Sequence, residues 1–371
     1  MTIDMQPLQP GSTIGILGGG QLGRMLAIAA AKMGMRVHIF CPDPYAPAFD
    51  VAAIKTVAHY EDEAALDAFA SDIDCGTIEF ENIPIAAIQR VANHVQMRPG
   101  KMSVEVAQDR LIERHFIQSV GVDVAPFHEI NKCEDMAAFD FDAGAAVLKI
   151  RKLGYDGKGQ AMVTSLSQAV DAFNSFGSQP AILEQFIAFR CEVSVIVARD
   201  IHGHIQGFEP ARNEHHRHIL AKSTVPAGIE DSTINYAFSC ATKIAQTLNH
   251  IGVLAVEFFV LDTDNGERLI VNEIAPRVHN SGHWTQDGAN ICQFEQHIRA
   301  ISGWPLVKPI TLFETEMTNL IGEDASSWMR YAAEPEARLH LYAKRQIRPG
   351  RKMGHINRRL PTDKPLSSGV D

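Results

Sequence analysis

Apolar residues along the first forty positions change their period twice. Thr13 to Leu17 is a continuous apolar run; after GGGQLGR, the residues Leu22, Met25, Leu26, Ala29 and Met33 recur every three or four positions; RVHIF, residues 36–40, is apolar again. A short run that breaks into glycines predicts a buried strand, and the 3.6-residue recurrence predicts a helix closed by Gly34. Strand, helix and strand in that order predict a parallel pair with a right-handed crossover. Residues 77–80 continue the strand series, so the first hundred residues read as a small doubly wound domain. MRPGK at 97–101 punctuates the chain, and the pattern over 103–120 predicts one helix leading onward.

From about Ala145 the pattern shifts to α+β: AAVLKI, a glycine-rich GYDGKGQ, AMVT, then AILEQFI and EVSVIVA. A helix is expected from Thr233, with Ile234, Phe238, Ala241, Ala245 and Leu248 on one face, ending near His250 and Gly252. VLAVEFFVL and LIVNEI, joined by DTDNGER, read as a hairpin. RLHLYA at 338–343 is a late strand, followed by a basic loop. The fold class is therefore α/β and α+β, divided at 1–102, 103–190 and 191–371.

Length and composition narrow the function. At roughly 100–200 residues per domain, 371 residues make two or three domains. With 46% hydrophobic and 21% charged residues the chain is globular, not disordered. The net charge of −10 argues against non-specific binding to nucleic acid or anionic membrane, so an anion site must be local. The six cysteines form no C-x-x-C pair, which favours a reducing compartment over a disulfide or zinc framework. MTIDMQPLQPGS has neither a basic nor an apolar leader segment, and no stretch reaches bilayer-spanning length, so a soluble, cytoplasmic protein is expected.

Four constellations carry candidate chemistry. Gly18, Gly20 and Gly23 fit G-x-G-x-x-G, with Asp43 twenty residues further on, the pattern of a dinucleotide site; the same backbone serves any phosphate, or is a plain turn. In GYDGKGQ, Gly154, Gly157 and Gly159 lie between two strands and suit a flap over a polyphosphate, with Lys158 at its tip. Lys149 sits inside apolar strand sequence, where an unpaired ammonium is costly, so it is expected to face a bound anion; the alternative is a solvent-exposed glycine hairpin with two ordinary lysines. Glu257 and Glu273 fall opposite each other if the hairpin is centred on Asn265; a two-residue Asn-Gly turn would shift that register. Two apposed carboxylates require a raised pKa, a cation or a metal, and an all-oxygen set, with Asn272 beside it, favours magnesium. Arg277 in APRVHNSGHWT is a candidate clamp for an oxyanion, and Lys344, Arg345, Arg348, Arg351 and Lys352 suit a phosphate monoester or a merely solvated loop. His215, His216 and His218 invite a zinc reading that lacks a fourth ligand.

GYDGKGQ, EQFI, VEFFV and VNEIAPRVHNSGHWT together resemble the ATP-grasp superfamily, and with GGGQLGRM and YAKRQIRPGRKMGHIN they resemble its biotin-independent carboxylating branch in purine biosynthesis. The resemblance covers nearly the whole chain. It implies an N-terminal Rossmann-like domain, a central ATP-grasp lid and a C-terminal β-rich catalytic portion, usually in a homodimer. Carried over motif by motif, ATP would be held by Arg110, Lys149, Gly154, Tyr155, Asp156, Gly157, Lys158, Gly159 and Gln160, by the hinge Glu184, Gln185, Phe186 and Ile187, and by Glu192, His215, Asn272 and Glu273. Glu257 and Glu273 would hold Mg2+. The ribonucleotide would meet Gln21, Leu22, Glu79 and Asn280, with Lys344, Arg351 and Lys352 on its phosphate. Arg277 and His279 would hold bicarbonate, and Tyr155 and Asp156 would stand near the amine. The family often has an aromatic residue at Ile78 and glycine at Ala343. The implied reaction carboxylates 5-aminoimidazole ribonucleotide with ATP and bicarbonate. A formate-using glycinamide ribonucleotide transformylase is the near alternative; an NAD-dependent oxidoreductase and a non-catalytic nucleotide sensor are alternatives of other classes.

Overall fold

The computed structural model describes residues 6–154 and 157–361. Its N-terminal part has strands β1 (Thr13–Leu17), β2 (Arg36–Phe40), β3 (Ile54–Thr56) and β4 (Cys75–Ile78), with helices α1 (Gln21–Lys32), α2 (Glu63–Ser71) and α3 (Ile85–Ala92). The strands form a parallel sheet in the order β3-β2-β1-β4. Every residue of β1 is buried, as expected for a strand covered on both faces.

The single helix expected over 103–120 is two, α4 (Lys101–Gln108) and α5 (Arg110–Ser119). Asp109 breaks it: its backbone is extended (φ −131°, ψ 111°), and its carboxylate accepts from Leu111 N at 3.1 Å and Arg151 Nη2 at 2.8 Å. A side chain that can cap a helix competes with continuing one.

A small antiparallel sheet follows, in the order β5-β8-β6-β7, from β5 (Phe127–Ile130), β6 (Ala146–Ile150), β7 (Gln160–Val163) and β8 (Ala181–Gln185). Helix α6 (Leu166–Ser175) covers one face through Ala169 and Phe173, which pack with Ile130, Leu148 and Leu183. The strand expected through AILEQFI ends at Gln185, leaving Phe186 and Ile187 in the following loop.

The remaining strands are β9 (Cys191–Arg199), β10 (Ile205–Gly207), β11 (Ala211–His216), β12 (Ile219–Val225), β13 (Gly252–Thr263), β14 (Gly266–Ala275), β15 (Thr315–Ile321), β16 (Ala337–Leu341) and β17 (Lys352–Arg359). They build one sheet in the order β14-β13-β9-β11-β12-β15-β17-β16, with β10 beside β9. Helices α7 (Asp231–Thr247), α8 (Thr285–Gly288), α9 (Gln293–Ser302) and α10 (Trp328–Ala332) accompany it. Val195, Val197, Leu254 and Val256 pack with Ala241 and Ile244 of α7, while Ile196, Ala198, Val253 and Ala255 pack with Ile298 and Ile301 of α9. Both faces of β9 and β13 are therefore covered, which explains their near-continuous apolar sequences. No helix among the described residues is long and apolar enough to cross a membrane.

Buried histidines fasten the N-terminal sheet and α4 to this body. Val253 N donates to His297 Nδ1 at 3.0 Å, so the imidazole Nε2 carries the hydrogen and faces Thr77 Oγ1 at 2.9 Å. His250 lies between Ser103 Oγ, at 3.1 Å, and the carbonyl of Val253, at 3.0 Å. Burial holds His250 down at about 4 and His297 at about 3.

Candidate active site

The two glycine turns, the small sheet and the large sheet border one cavity of about 740 Å³. Of the residues expected at the site, Gln21, Leu22, Glu79, Arg110, Lys149, Gly154, Gly157, Gln160, Glu184, Gln185, Phe186, Ile187, Glu192, His215, Glu257, Asn272, Glu273, Arg277, His279, Asn280 and Lys352 line it. Lys158, Gly159, Lys344 and Arg351 do not border it, and Tyr155 and Asp156 lie outside the described residues.

The paired part of the hairpin β6–β7 ends at Lys149 opposite Gln160, with Ile150 N donating to the carbonyl of Gly159 at 2.8 Å, so Gly154 and Gly157 lie beyond the ladder. Gly157 has φ +76°, and a Cβ there would come within 2.4 Å of His218 Cβ. Only glycine suits both the conformation and that approach.

The group facing Lys149 is a carboxylate of the chain itself, not the bound anion expected. Its Nζ meets Glu184 Oε2 at 2.5 Å; Glu184 Oε1 accepts from Arg114 Nε at 2.5 Å; Arg114 Nη1 reaches Glu113 Oε2 at 2.5 Å; and Glu113 Oε1 accepts Ile274 N at 2.7 Å. Burial would raise Glu184, but Arg114 and Lys149 overcome it and hold the carboxyl at about 2. Burial pushes Lys149 below the usual lysine value, and Glu184 only partly opposes that. This quartet of two cations and two anions links α5 to β6, β8 and β14 around the floor of the cavity. Beside it, Phe189 stacks on Phe259 with centroids 4.6 Å apart and planes 11° from parallel, an apolar wall suited to a planar base.

Glu257 and Glu273 are directly opposite, as the hairpin reading required, but by another route. The turn is the two-residue Asp264–Asn265, between paired Thr263 and Gly266, and a bulge at Asn272 restores the apposition. Burial, then the charge of Glu273, pushes Glu257 up to about 8. Glu273 Oε2 faces Arg110 Nη1 at 3.6 Å, Glu257 Oε1 faces His279 Nε2 at 3.6 Å, and Glu192 Oε2 faces His215 Nδ1 at 3.0 Å. The histidine triplet divides: His215 joins this group, with ligand atoms of Glu192, His215 and Glu257 within 4.8 Å of one another; His216 is exposed; His218 abuts the flap. Apposed carboxylates, one of them with its pKa raised by burial and by the other's charge, suit a divalent cation, and the oxygen set of Glu257, Glu273 and Asn272 suits magnesium.

At the first glycine turn, Gly20 N donates to Glu79, and a Cβ on Gly20 would lie 2.1 Å from Glu79 Oε1. Burial, eased by the Gly20 N–H and by Lys344 and Arg277, raises Glu79 to about 7. A carboxylate thus holds the helix end where a dinucleotide would place its pyrophosphate, and Asp43 Oδ1 is engaged by Tyr45 N at 2.9 Å.

Arg277 Nε donates to Glu81, and Ser281 N donates to His279 Nδ1 at 3.4 Å, leaving the hydrogen on Nε2. Burial, then the charges of Arg277 and Lys352, hold His279 well below the usual histidine value, so it is neutral at pH 7. Asn280 and Asn319 exchange amide hydrogen bonds of 2.9 and 2.8 Å. In the basic loop, Lys344 Nζ donates to the carbonyl of Lys352 at 2.8 Å and Arg351 Nη1 to that of Gln346 at 3.1 Å, which accounts for their standing off the cavity wall. The strand expected through residue 343 stops at Leu341, and Ala343 takes φ +58°, a conformation that glycine enters more easily.

Glu81, Glu113 and Arg114 escaped the sequence reading. Arg110, Glu113 and Arg114 share one face of α5 at the three- and four-residue spacing, a signal masked by reading 103–120 as one amphipathic helix.

A lid hairpin and a carboxylate-bearing sheet closing on one cavity define an ATP-grasp protein. Residues 115–294 match the ATP-grasp domain, residues 11–108 the ribonucleotide synthetase preATP-grasp domain and residues 315–367 the phosphoribosylaminoimidazole carboxylase C-terminal domain. The N5-carboxyaminoimidazole ribonucleotide synthase of Brucella melitensis is 46% identical over 362 residues, covering 97% of this chain and 99% of the relative. The crystal structure of the ADP complex of purK, an N5-carboxyaminoimidazole ribonucleotide synthetase, superposes with a TM-score of 0.90 at 38% identity over 97% of this chain and 94% of the other. An Aspergillus clavatus N5-carboxyaminoimidazole synthase in complex with ADP and 5-aminoimidazole ribonucleotide gives 0.87 at 27% identity, covering 95% of each chain. The chain belongs to the N5-carboxyaminoimidazole ribonucleotide synthase family.

Proposed function

We propose that this chain is an ATP-dependent C–N ligase that carboxylates 5-aminoimidazole ribonucleotide with bicarbonate in purine biosynthesis, yielding N5-carboxyaminoimidazole ribonucleotide, ADP and phosphate. The observation that carries this reading is a single cavity bordered both by the flap, Lys149 and the Glu257–Glu273 pair and by Glu79, Arg277, Asn280 and Lys352. It offers a nucleotide site and an anionic co-substrate site in one enclosure. The ADP and ribonucleotide bound together in the Aspergillus relative support the same pair of ligands here.

Bicarbonate is a poor electrophile. In the proposed sequence one of its oxygens attacks the γ-phosphorus of ATP, ADP leaves, and carboxyphosphate forms. The ribonucleotide amine, attacking carboxyphosphate or the carbon dioxide it releases, then forms the C–N bond; phosphate departs with the bicarbonate oxygen and the amine gives up a proton. Lys149 and the flap residues Gly154 to Gln160 hold the phosphates, with Arg110, Glu192, His215 and Asn272 around the nucleotide and the hinge Glu184 to Ile187 beside its base. Glu257 and Glu273 would hold magnesium, which when bound neutralises phosphoryl oxygens during in-line transfer. Arg277 offers fixed N–H donors to bicarbonate, and neutral His279 adds one more without competing for the negative charge. Gln21, Leu22, Glu79 and Asn280 receive the ribonucleotide, and Lys344, Arg351 and Lys352 its phosphate; of these three, Lys352 borders the cavity. Tyr155 and Asp156 are assigned to the amine, Asp156 as proton acceptor. Enclosure by the flap protects carboxyphosphate from water.

Division at 1–102, 103–190 and 191–371, a homodimeric state and a cytoplasmic setting complete the proposal. ADP release from MgATP, measured with bicarbonate and 5-aminoimidazole ribonucleotide added singly and together, tests it. Release that needs both supports the reading; release driven instead by formate and glycinamide ribonucleotide overturns it.

A further inference from the structure

Arg277 is held along one edge. Its Nε donates to Glu81 and its Nη1 to the carbonyl of Val278 at 3.1 Å, and both side chains are largely buried. Glu81 comes from the loop after β4 and Arg277 from the loop after β14, so the pair joins the N-terminal sheet to the body beside the cavity that both border. The Glu81 loop is itself secured: Gln108 Nε2 donates to the carbonyls of Glu81 and Ile83, each at 2.7 Å. Two further carboxylates, Glu273 and Glu79, act on Arg277 through their charges. A guanidinium not secured among three carboxylates would fold onto Glu273 or Glu79 and close its fork to any incoming anion.

We propose that Glu81 is a positioning residue for bicarbonate: by engaging Nε it holds Arg277 away from Glu273 and Glu79, and it leaves Nη2 and the second Nη1 hydrogen for the oxyanion. The proposal rests on the reading of Arg277 as the bicarbonate group. Nothing in it requires Glu81 to touch substrate or to move a proton; its carboxylate is spent on the guanidinium, and the effect on chemistry passes through Arg277.

The test compares Glu81→Ala and Glu81→Gln in the full chain, with initial rates measured while bicarbonate, ATP and 5-aminoimidazole ribonucleotide are varied separately. Glu81→Ala is expected to raise the bicarbonate KM about ten-fold or more, the loss of one charge-assisted hydrogen bond, with the ATP KM within about two-fold of wild type. Glu81→Gln retains an oxygen for the Nε–H and is expected to show a smaller rise of the same kind. Equal rises for all three substrates, or a wild-type bicarbonate KM in either variant, overturn the proposal; if the alanine variant fails to fold, the glutamine variant alone decides by the same criterion. If wild type itself consumes no bicarbonate, the functional reading falls; wild-type activity with an unmoved bicarbonate KM in the variants removes only the role of Glu81.

Discussion

Arg114→Met exposes how much of the cavity floor depends on one guanidinium. Arg114 is 1% exposed and stands between Glu113 and Glu184, exposed 3% and 4%, with 2.5 Å contacts to each. Methionine fills much of the same volume, so the change is chiefly electrostatic: the quartet falls from neutral to a net charge of −1, Lys149 is left to Glu184, and Glu113 keeps only the N–H of Ile274. Leaving a buried charge without its partner costs about 3–5 kcal/mol. With an unfolding entropy of about 2.1 cal/mol/K per residue, the 371-residue chain melting as one unit loses roughly 1.3 °C per kcal/mol, so Tm falls by about 4–6 °C. Calorimetry at several pH values adds a signature. Burial raises Glu113, with Arg114 opposing; without Arg114 the folded carboxyl binds its proton more tightly than the unfolded one. The folded variant then holds more protons than the unfolded chain, and its deficit grows as pH rises. Glu113→Gln added to Arg114→Met should recover part of the loss. A Tm within about 1 °C of wild type, or a deficit independent of pH, would show that Arg114 does not neutralise this buried cluster.

Glu257→Gln should stabilise the metal-free chain at pH 8 and abolish ADP formation: the carboxyl is raised to about 8, so the folded state carries a penalty that grows as pH climbs from the ordinary carboxylate range toward that value. Differential scanning fluorimetry without divalent cation checks the first part, and a lower Tm would contradict it. His250 and His297 are depressed to about 4 and 3, so the unfolded chain binds more protons below about pH 6.5, and stability declines as pH falls from there toward 4. Each contributes about 2 kcal/mol of loss at pH 5; urea titrations at pH 7 and 5 should show it, and His297→Gln should flatten the slope while lowering stability at pH 7.

How far the sequence reaches is clearest at particular residues. The first strand, turn and helix were legible because a buried parallel strand and an amphipathic helix impose different periods on the same apolar alphabet. The Glu257–Glu273 apposition was legible because two charges inside apolar strands have few other solutions, although the bulge at Asn272 that produces it was not. Lys149 reads from the sequence as facing a bound anion, whereas its partner is Glu184, and that pairing depends on the order β5-β8-β6-β7, which periodicity does not encode. Asp109 is an ordinary polar residue in a helical pattern until Arg151, far along the chain, meets it. The same holds for Gly20, whose close neighbour is the carboxylate of Glu79 rather than a pyrophosphate. Long-range pairing of charges is where local pattern runs out.

Phosphoryl transfer to bicarbonate before carboxylation can be followed with 18O-labelled bicarbonate, MgATP and 5-aminoimidazole ribonucleotide, tracing the oxygen by mass spectrometry. One bicarbonate oxygen is expected in the released phosphate, with ADP and carboxylated ribonucleotide formed in equal amounts. Phosphate free of the label alongside carboxylated product would contradict it.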